Sequence, residues 1–507
     1  MREALRSFVV IAGLNGDKKF VEACLCCLRT IFQSAEAPHE IIYAEPQIVP
    51  HMINLMPLST SNQVSVASIF ANACKTREHQ DYLSNHGIIP ALNVLLRSSL
   101  PSVQLPALRC LAILVFGNEN VARIMKDASL ADGTTLLGSI ELLMNRNKRL
   151  DIQLEAARCI TYLFRCGVLE EDDKRITFKA LPCVVRMTKK EECAEDRILA
   201  AETLAYLIEG SAELQRIAAI SNRLIDSMAT FLTWEVDSGA KDVKLQAGQS
   251  EQIAATARDM ERAAFRVYAS LGANDEEIRK RIIETDHLLP NLVSALEDPN
   301  PKLQMAAIGC LHSLSRSVQL LRTTFQDHPV WKPLMKILVN SASVSNTSAA
   351  SVEPLIVASS TLCNLLLEFS PSKEQIMEFG AIGMLCALTH KFEPALRLNG
   401  VWGLMNMAFQ AEQGTKVQII KSLEPDQIFR LLSDPDDNVV MKTLGLLRNI
   451  LSNKAHIDHI MSLQDYGKQI MQVRKSIKKM TWLKKMPGNG QISNIPEFIF
   501  SKTTFPF

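Results

Sequence analysis

Few side chains in this sequence are spaced for chemistry. Cys24-x-x-Cys27 has the spacing of a redox pair or of half a zinc site. Zinc needs two further nitrogen or sulfur ligands at matching spacing, and none lies nearby. Both thiols fall on the apolar side of a helical stretch, so core packing is the expectation for the pair. His456-x-x-His459 puts two imidazoles on one helix face without a third ligand, and Gly488-Asn-Gly490 reads as a turn. No glycine-rich phosphate loop, G-x-S-x-G elbow, H-E-x-x-H or calcium loop occurs. No catalytic, cofactor-binding or metal residue is assigned, and the chain is not expected to be an enzyme.

What remains is recognition chemistry. Asn364, Asn406 and Asn449 recur 42 and 43 residues apart. A carboxamide both donates and accepts, so such a file can pair with an extended peptide backbone without reading its sequence. We expect these asparagines on an exposed concave surface beside Trp402; the competing reading bonds them to neighbouring helices. Arg109, Arg158 and Arg266 recur at a second position, interrupted by Glu202. They would form a partly basic groove suited to an acidic partner segment, against the plainer reading of solvated arginines. A receptor for basic peptides would need a ladder of Trp/Asn pairs. Only Trp402/Asn406 makes one, which disfavours that ligand.

These residues are positioned by a repeat. One helical segment returns as Val103-Gln-Leu-Pro-Ala-Leu-Arg-Cys110, Ile152-Gln-Leu-Glu-Ala-Ala-Arg-Cys159, Leu303-Gln-Met-Ala-Ala-Ile-Gly-Cys310, Leu396-Arg-Leu-Asn-Gly400 and Val439-Val-Met-Lys-Thr443. The template is an apolar residue, a small residue four later, then apolar residues four and seven beyond that. Those offsets share one face of an α-helix, and the small residue lets a neighbour approach. Taking it as the anchor gives Cys24, Val66, Ala107, Ala156, Ala200, Ala264, Ala307, Ala358, Gly400 and Thr443. The recognition residues above lie two beyond the anchor (arginines and Trp402) or six beyond it (asparagines).

Anchors stand 41–51 residues apart, with 64 between Ala200 and Ala264. The two longest spacings coincide with polar stretches at 233–250 and 340–352, taken as inserts. A second helix after a Gly or Pro break lies between anchors, as in Gly87-Ile-Ile-Pro-Ala-Leu, His287-Leu-Leu-Pro-Asn-Leu and Gly380-Ala-Ile-Gly-Met-Leu. Turns such as Asp298-Pro-Asn-Pro301 and Ser433–Asn438 supply caps for the anchor helix. A period of about 40–47 residues with two or three helices marks armadillo and HEAT arrays. The expected fold is all-α: an armadillo/HEAT-like α-solenoid, a right-handed superhelix of about ten repeats, over residues 18–472. A divergent lead-in (1–17) and a basic tail (473–507) flank it.

Composition agrees. Of 507 residues, 47% are hydrophobic and 21% charged; Lys+Arg 55 against Asp+Glu 54 leaves a net charge of +1. Wholesale disorder is excluded, and balanced charge gives no argument for nucleic acid or an anionic membrane. No apolar run has the length of a membrane span. Cysteines scattered singly on apolar stretches fit a reducing compartment. Around Arg474, Lys475, Lys478, Lys479, Lys484 and Lys485 the tail is strongly basic, which reads as a solvated segment ahead of nuclear import or nucleic-acid binding.

Lys18–Gln33, Ile198–Ile217, Phe265–Glu284, Cys310–Leu338, Thr361–Lys373, Asn399–Gln413 and Phe429–Gln472 resemble the armadillo subunits of CTLH/GID E3 ubiquitin ligases. Matching stretches include Ala201-Glu-Thr-Leu-Ala-Tyr-Leu-Ile, Tyr268-Ala-Ser-Leu-Gly-Ala-Asn-Asp-Glu, Phe325-Gln-Asp-His and Met441-Lys-Thr-Leu-Gly-Leu-Leu-Arg-Asn. The resemblance implies a non-catalytic adaptor. It would bridge LisH/CTLH-domain scaffold subunits to a substrate receptor, in cytoplasm and nucleus, for proteasomal degradation of targets. The alternative is a free-standing armadillo adaptor in adhesion or signalling. Family members carry further repeats ahead of the stretch matching Lys18 and beyond that matching Gln472. The C-terminal repeats contribute to receptor docking, so scaffold binding is expected to survive here better than receptor binding.

Overall fold

The computed structural model describes residues 18–34, 36–189, 193–221, 223–234, 247–317, 329–342, 349–367 and 370–451. The expected lead-in and basic tail, the His456/His459 pair, Gly488–Gly490 and the Phe325–His328 stretch lie outside them, as do 235–246 and 343–348 of the two expected inserts. Of the described residues in those inserts, 247–250, 340–342 and 349–352 are helical, while 233–234 follow the end of the helix Leu224–Leu232.

Among the described residues there are 25 α-helices and no strand beyond a single bridge, Ser129 to Thr135. Each anchor falls in its own helix. These ten are α1 (Lys18–Phe32), α2 (Thr60–Ala73), α3 (Pro101–Val115), α4 (Leu150–Arg165) and α5 (Ala194–Ile208), then α6 (Ala247–Leu271), α7 (Pro301–Leu314), α8 (Ala349–Leu365), α9 (Pro394–Ala408) and α10 (Asp437–Ile450). Two compact units result: residues 1–278 hold α1–α6, and 279–507 hold α7–α10. Within each unit every anchor helix packs on the next.

The sequence template explains the packing. All ten anchors are buried. In α3, Val103, Ala107, Leu111 and Leu114 are each fully buried, as are Ala156, Ile160 and Leu163 in α4. Their shared face is the core of each layer, where close-packed apolar contact supplies most helix stability. The need for a small anchor is sharpest at Gly400. A Cβ there would sit 2.8 Å from the Leu385 carbonyl oxygen and 3.0 Å from Thr389 Cγ2. In that unit α9 presses onto the helix Ala381–Thr389, and only hydrogen fits between them.

The second helices begin after a left-handed residue. Gly87 (φ 84°) precedes Ile88–Leu96, Gly380 (φ 91°) precedes Ala381–Thr389, Arg223 (φ 52°) precedes Leu224–Leu232, and His287 (φ 62°) precedes Leu288–Glu297. That conformation reverses the chain between two helices. Glycine adopts it freely; Arg223 and His287 hold it at a cost of roughly 1–2 kcal/mol. The expected caps form at the anchor helices. Asn300 accepts from the amides of Lys302 and Leu303, and Asp436 accepts from that of Asn438 at 2.8 Å.

Candidate functional site

Positions two and six beyond the anchor lie one turn apart on each anchor helix. In the first unit they carry Arg109 and Ile113 on α3, Arg158 and Tyr162 on α4, Glu202 and Tyr206 on α5, and Arg266 and Ser270 on α6. Arg109 and Arg158 converge on Glu155, the residue just before anchor Ala156. Arg109 Nε donates to Glu155 Oε1 at 3.0 Å and Arg158 Nη1 donates to Oε2 at 3.0 Å. The Glu155 side chain is 3% exposed, Arg109 53% and Arg158 19%. A carboxylate so buried survives because two guanidiniums face it. Burial alone would weaken the Arg158 charge, but Glu155 and Tyr162 outweigh it and hold the guanidinium firmly protonated.

Arg266 stands apart from this pair. It approaches Glu202 Oε1 at 4.0 Å, while Arg262, one turn earlier, reaches the same oxygen at 2.6 Å. The expected basic groove is therefore interrupted by two carboxylates, and the role of Glu155 was not foreseen. Arg109 spends only Nε on its partner and leaves both terminal nitrogens to solvent, and Arg266 is 43% exposed.

Three rings complete this face. Phe116, 51% exposed, meets the Tyr162 ring at 4.8 Å and the Tyr206 ring at 5.6 Å. Tyr162 and Tyr206 meet edge-on at 5.6 Å, and the Arg165 guanidinium lies 4.8 Å above Tyr206. Burial raises the Tyr162 hydroxyl above its ordinary range, with Arg158 opposing. Partly exposed rings rimmed by guanidiniums can take apolar or planar side chains together with carboxylates.

The second unit treats the same positions differently. Asn364, Asn406 and Asn449 are only 7–8% exposed. Asn364 Nδ2 donates to Ser315 Oγ at 3.0 Å, Asn406 Nδ2 to the Cys363 carbonyl at 2.8 Å, and Asn449 Nδ2 to the Met405 carbonyl at 3.0 Å. Each acceptor belongs to the preceding repeat. Cys363 and Met405 lie in the last turns of α8 and α9, where carbonyls lack an intrahelical donor. The expectation of exposed carboxamides is thus corrected: the donors tie one layer to the one before. Trp402 stays half-buried with the Lys442 ammonium 5.1 Å from its ring.

Recurring glutamines three before the anchor escaped notice. Gln104 and Gln304 donate to the carbonyls of Leu96 and Leu296, at the ends of Ile88–Leu96 and Leu288–Glu297, and Gln153 donates to that of Lys148. They close the turn into the anchor helix, and their repetition in the quoted segments was the available signal. Cys24 is buried as expected, but Cys27 is exposed, which corrects its placement in the core. Burial pushes the thiols of Cys74 and Cys386 up to about 12 and that of Cys183 to about 11. They stay protonated and unreactive. Among the described residues no cluster of three or more His, Cys, Asp or Glu could hold a metal ion. No described helix is long and apolar enough to cross a membrane.

Repeating helical layers, tied by carboxamides and presenting side chains at a fixed interval, define an armadillo/HEAT-type α-solenoid. The HEAT-repeat family model matches residues 288–318. A crystal structure of an engineered protein superposes with TM-score 0.56 and 18% identity, covering 87% of this chain and 97% of the other, which supports the fold. A Danio rerio protein named armadillo repeat-containing protein 8 is 48% identical over 460 residues, 90% of this chain and 66% of that protein. The Xenopus laevis protein of the same name is 45% identical over 503 residues, 90% and 68%. The chain belongs to the armadillo repeat-containing protein 8 family, and spans about two thirds of the length of these relatives. A Schizosaccharomyces pombe protein named GID complex subunit 5 is 27% identical over 313 residues, 60% of this chain and 38% of that one.

Proposed function

We propose that the chain is a non-catalytic adaptor of a CTLH/GID-type E3 ubiquitin ligase, holding LisH/CTLH-domain scaffold subunits and a substrate receptor in one assembly in cytoplasm and nucleus. The single observation that carries this reading is the similarity to the protein named GID complex subunit 5. The arginine and aromatic face of the first unit gives it a surface. Arg109 and Arg266 offer charge-assisted donors beside Phe116, Tyr162 and Tyr206, chemistry suited to an acidic segment with an apolar or aromatic residue. The three asparagines of the second unit act indirectly, by fixing the layers that present other side chains.

The test is purification of the tagged chain from cells with identification of what accompanies it. CTLH-domain proteins in the eluate are the expected result. Their absence, with adhesion or signalling proteins recovered instead, would overturn the reading.

A further inference from the structure

Where one anchor helix ends and the next repeat begins, polar side chains zip the junctions after α3, α5 and α6 of the first unit, while after α4 the same offset carries Gly167. Gln80 Nε2 donates to the carbonyls of Ile113 and Phe116, and Asn118 Nδ2 donates to Gln80 Oε1 at 3.1 Å and Asp81 Oδ1 at 2.9 Å. Asn118 stands eleven beyond anchor Ala107. Ser211, eleven beyond Ala200, bonds back to Glu171, and Asp275, eleven beyond Ala264, accepts from Arg216 at 3.3 Å.

The junction after α9 has the same plan with one part missing. Lys373 takes the place of Gln80, its ammonium donating to the Phe409 carbonyl at 3.4 Å. Eleven beyond anchor Gly400, however, stands Ala411, which has no polar group to bond back. A cleft of about 570 Å³ opens there, with Ser370, Glu374, Met377, Glu378, Met407 and Glu412 in its walls. Glu374, Glu378 and Glu412 form no ion pair among the described residues, so three carboxylates face one engaged ammonium. Ser370 is 6% exposed, and its hydroxyl is buried without a hydrogen-bond partner. The turn beside it is strained: Gln410 holds φ at 52° where the corresponding positions after α3 and α5 are Gly117 and Gly210. A buried unpaired hydroxyl and like charges left together are both unfavourable, and a cationic group entering the cleft relieves both.

The chain carries such groups. Arg474, Lys475, Lys478, Lys479, Lys484 and Lys485 follow one another with no acid between Asp465 and Glu497. The last described helix, α10, packs on α9, whose Met407 lines the cleft. The 23 positions from Leu451 to Arg474 span up to about 75 Å when extended, more than reach requires.

We propose that this acidic cleft is a binding site for lysine and arginine side chains and that its occupant is the chain's own basic stretch at 474–485. The inference goes beyond the adaptor reading and does not depend on it. The attraction is between exposed charges, so salt weakens it.

Carbodiimide coupling of the full chain tests this, because it joins carboxylates to amines only in contact. We expect links from Glu374, Glu378 or Glu412 to lysines 475–485, with a yield unchanged by tenfold dilution and reduced at least fivefold in 0.5 M salt. Ala411→Arg, which keeps every coupling partner but supplies a competing cation, should lower the yield as much, while circular dichroism confirms the fold. Links scattered over other surface carboxylates would overturn the proposal. So would a yield that rises with concentration, which would place the basic stretch of a second copy in the cleft, or a yield that Ala411→Arg leaves unchanged.

Discussion

The two units use one helical position for opposite ends. Six beyond the anchor, the first unit places Tyr162 and Tyr206, whose rings stay partly exposed beside Arg158 and Arg165. The second unit places Asn364, Asn406 and Asn449, short enough to drop their amides onto the preceding layer. Side-chain reach therefore decides whether a recurring position stays partly exposed or staples the stack. Recurrence by itself does not separate the two.

The largest effect that would sharpen this contrast comes from Glu155. Glu155→Ala leaves Arg158 largely buried without its carboxylate, and removing one partner of such a pair typically costs about 3–5 kcal/mol. Thermal or urea unfolding should show a loss of that order in the first unit, whereas a loss under 1 kcal/mol would mean that the arginines are solvated. Next comes the triple change of Asn364, Asn406 and Asn449 to Ala. Each lost hydrogen bond is worth about 0.5–1.5 kcal/mol, so a drop of about 3 kcal/mol in the second unit is expected. An unchanged melting temperature would return these residues to a partner-binding role.

A pH effect is expected in the second unit from His312. The Thr361 hydroxyl donates to the Val357 carbonyl and so accepts from His312 Nδ1, while Arg316 donates to Nε2. The imidazole is thereby held neutral, and burial, with Arg316 adding to it, depresses its pKa to about 4 from an ordinary 6.5. Its stabilising contribution is complete above the unfolded value of 6.5, where both states are neutral, and is lost as pH falls through the window toward 4. The loss has a slope of at most about 1.4 kcal/mol per pH unit. His312→Gln should flatten that slope in urea titrations at pH 7 and pH 5; an equal slope in wild type and variant would count against it. The smallest effect is Arg109→Ala, exposed and bonded through one nitrogen, which should change stability by under about 1 kcal/mol.

Much of this architecture could be read from residue offsets. Ala107, Ala156, Ala307, Gly400 and Thr443 announce the buried face because 3.6-residue periodicity translates spacing directly into side. The asparagines could not be assigned, since their donors depend on how near the preceding helix's terminal carbonyls come, a distance between layers that periodicity along one helix does not contain. Glu155 hid in the slot before an anchor, where its burial makes sense only once two arginines from different repeats are seen to meet. The cleft hid for a related reason: Ala411 is unremarkable until compared with Asn118, Ser211 and Asp275 at the same offset.

The central proposal is that partner recognition by this chain resides in the arginine and aromatic face of the first unit, while the asparagine file of the second is structural. The most direct measurement is capture of CTLH-domain subunits from cells by three tagged chains: wild type, Arg109→Glu with Arg266→Glu, and the Asn364/Asn406/Asn449→Ala triple, each with its melting temperature. The charge-reversed chain should lose at least tenfold in capture with melting nearly unchanged, and the triple variant should lose melting temperature first. Full capture by the charge-reversed chain, with capture lost by a triple variant that melts as wild type does, would contradict it.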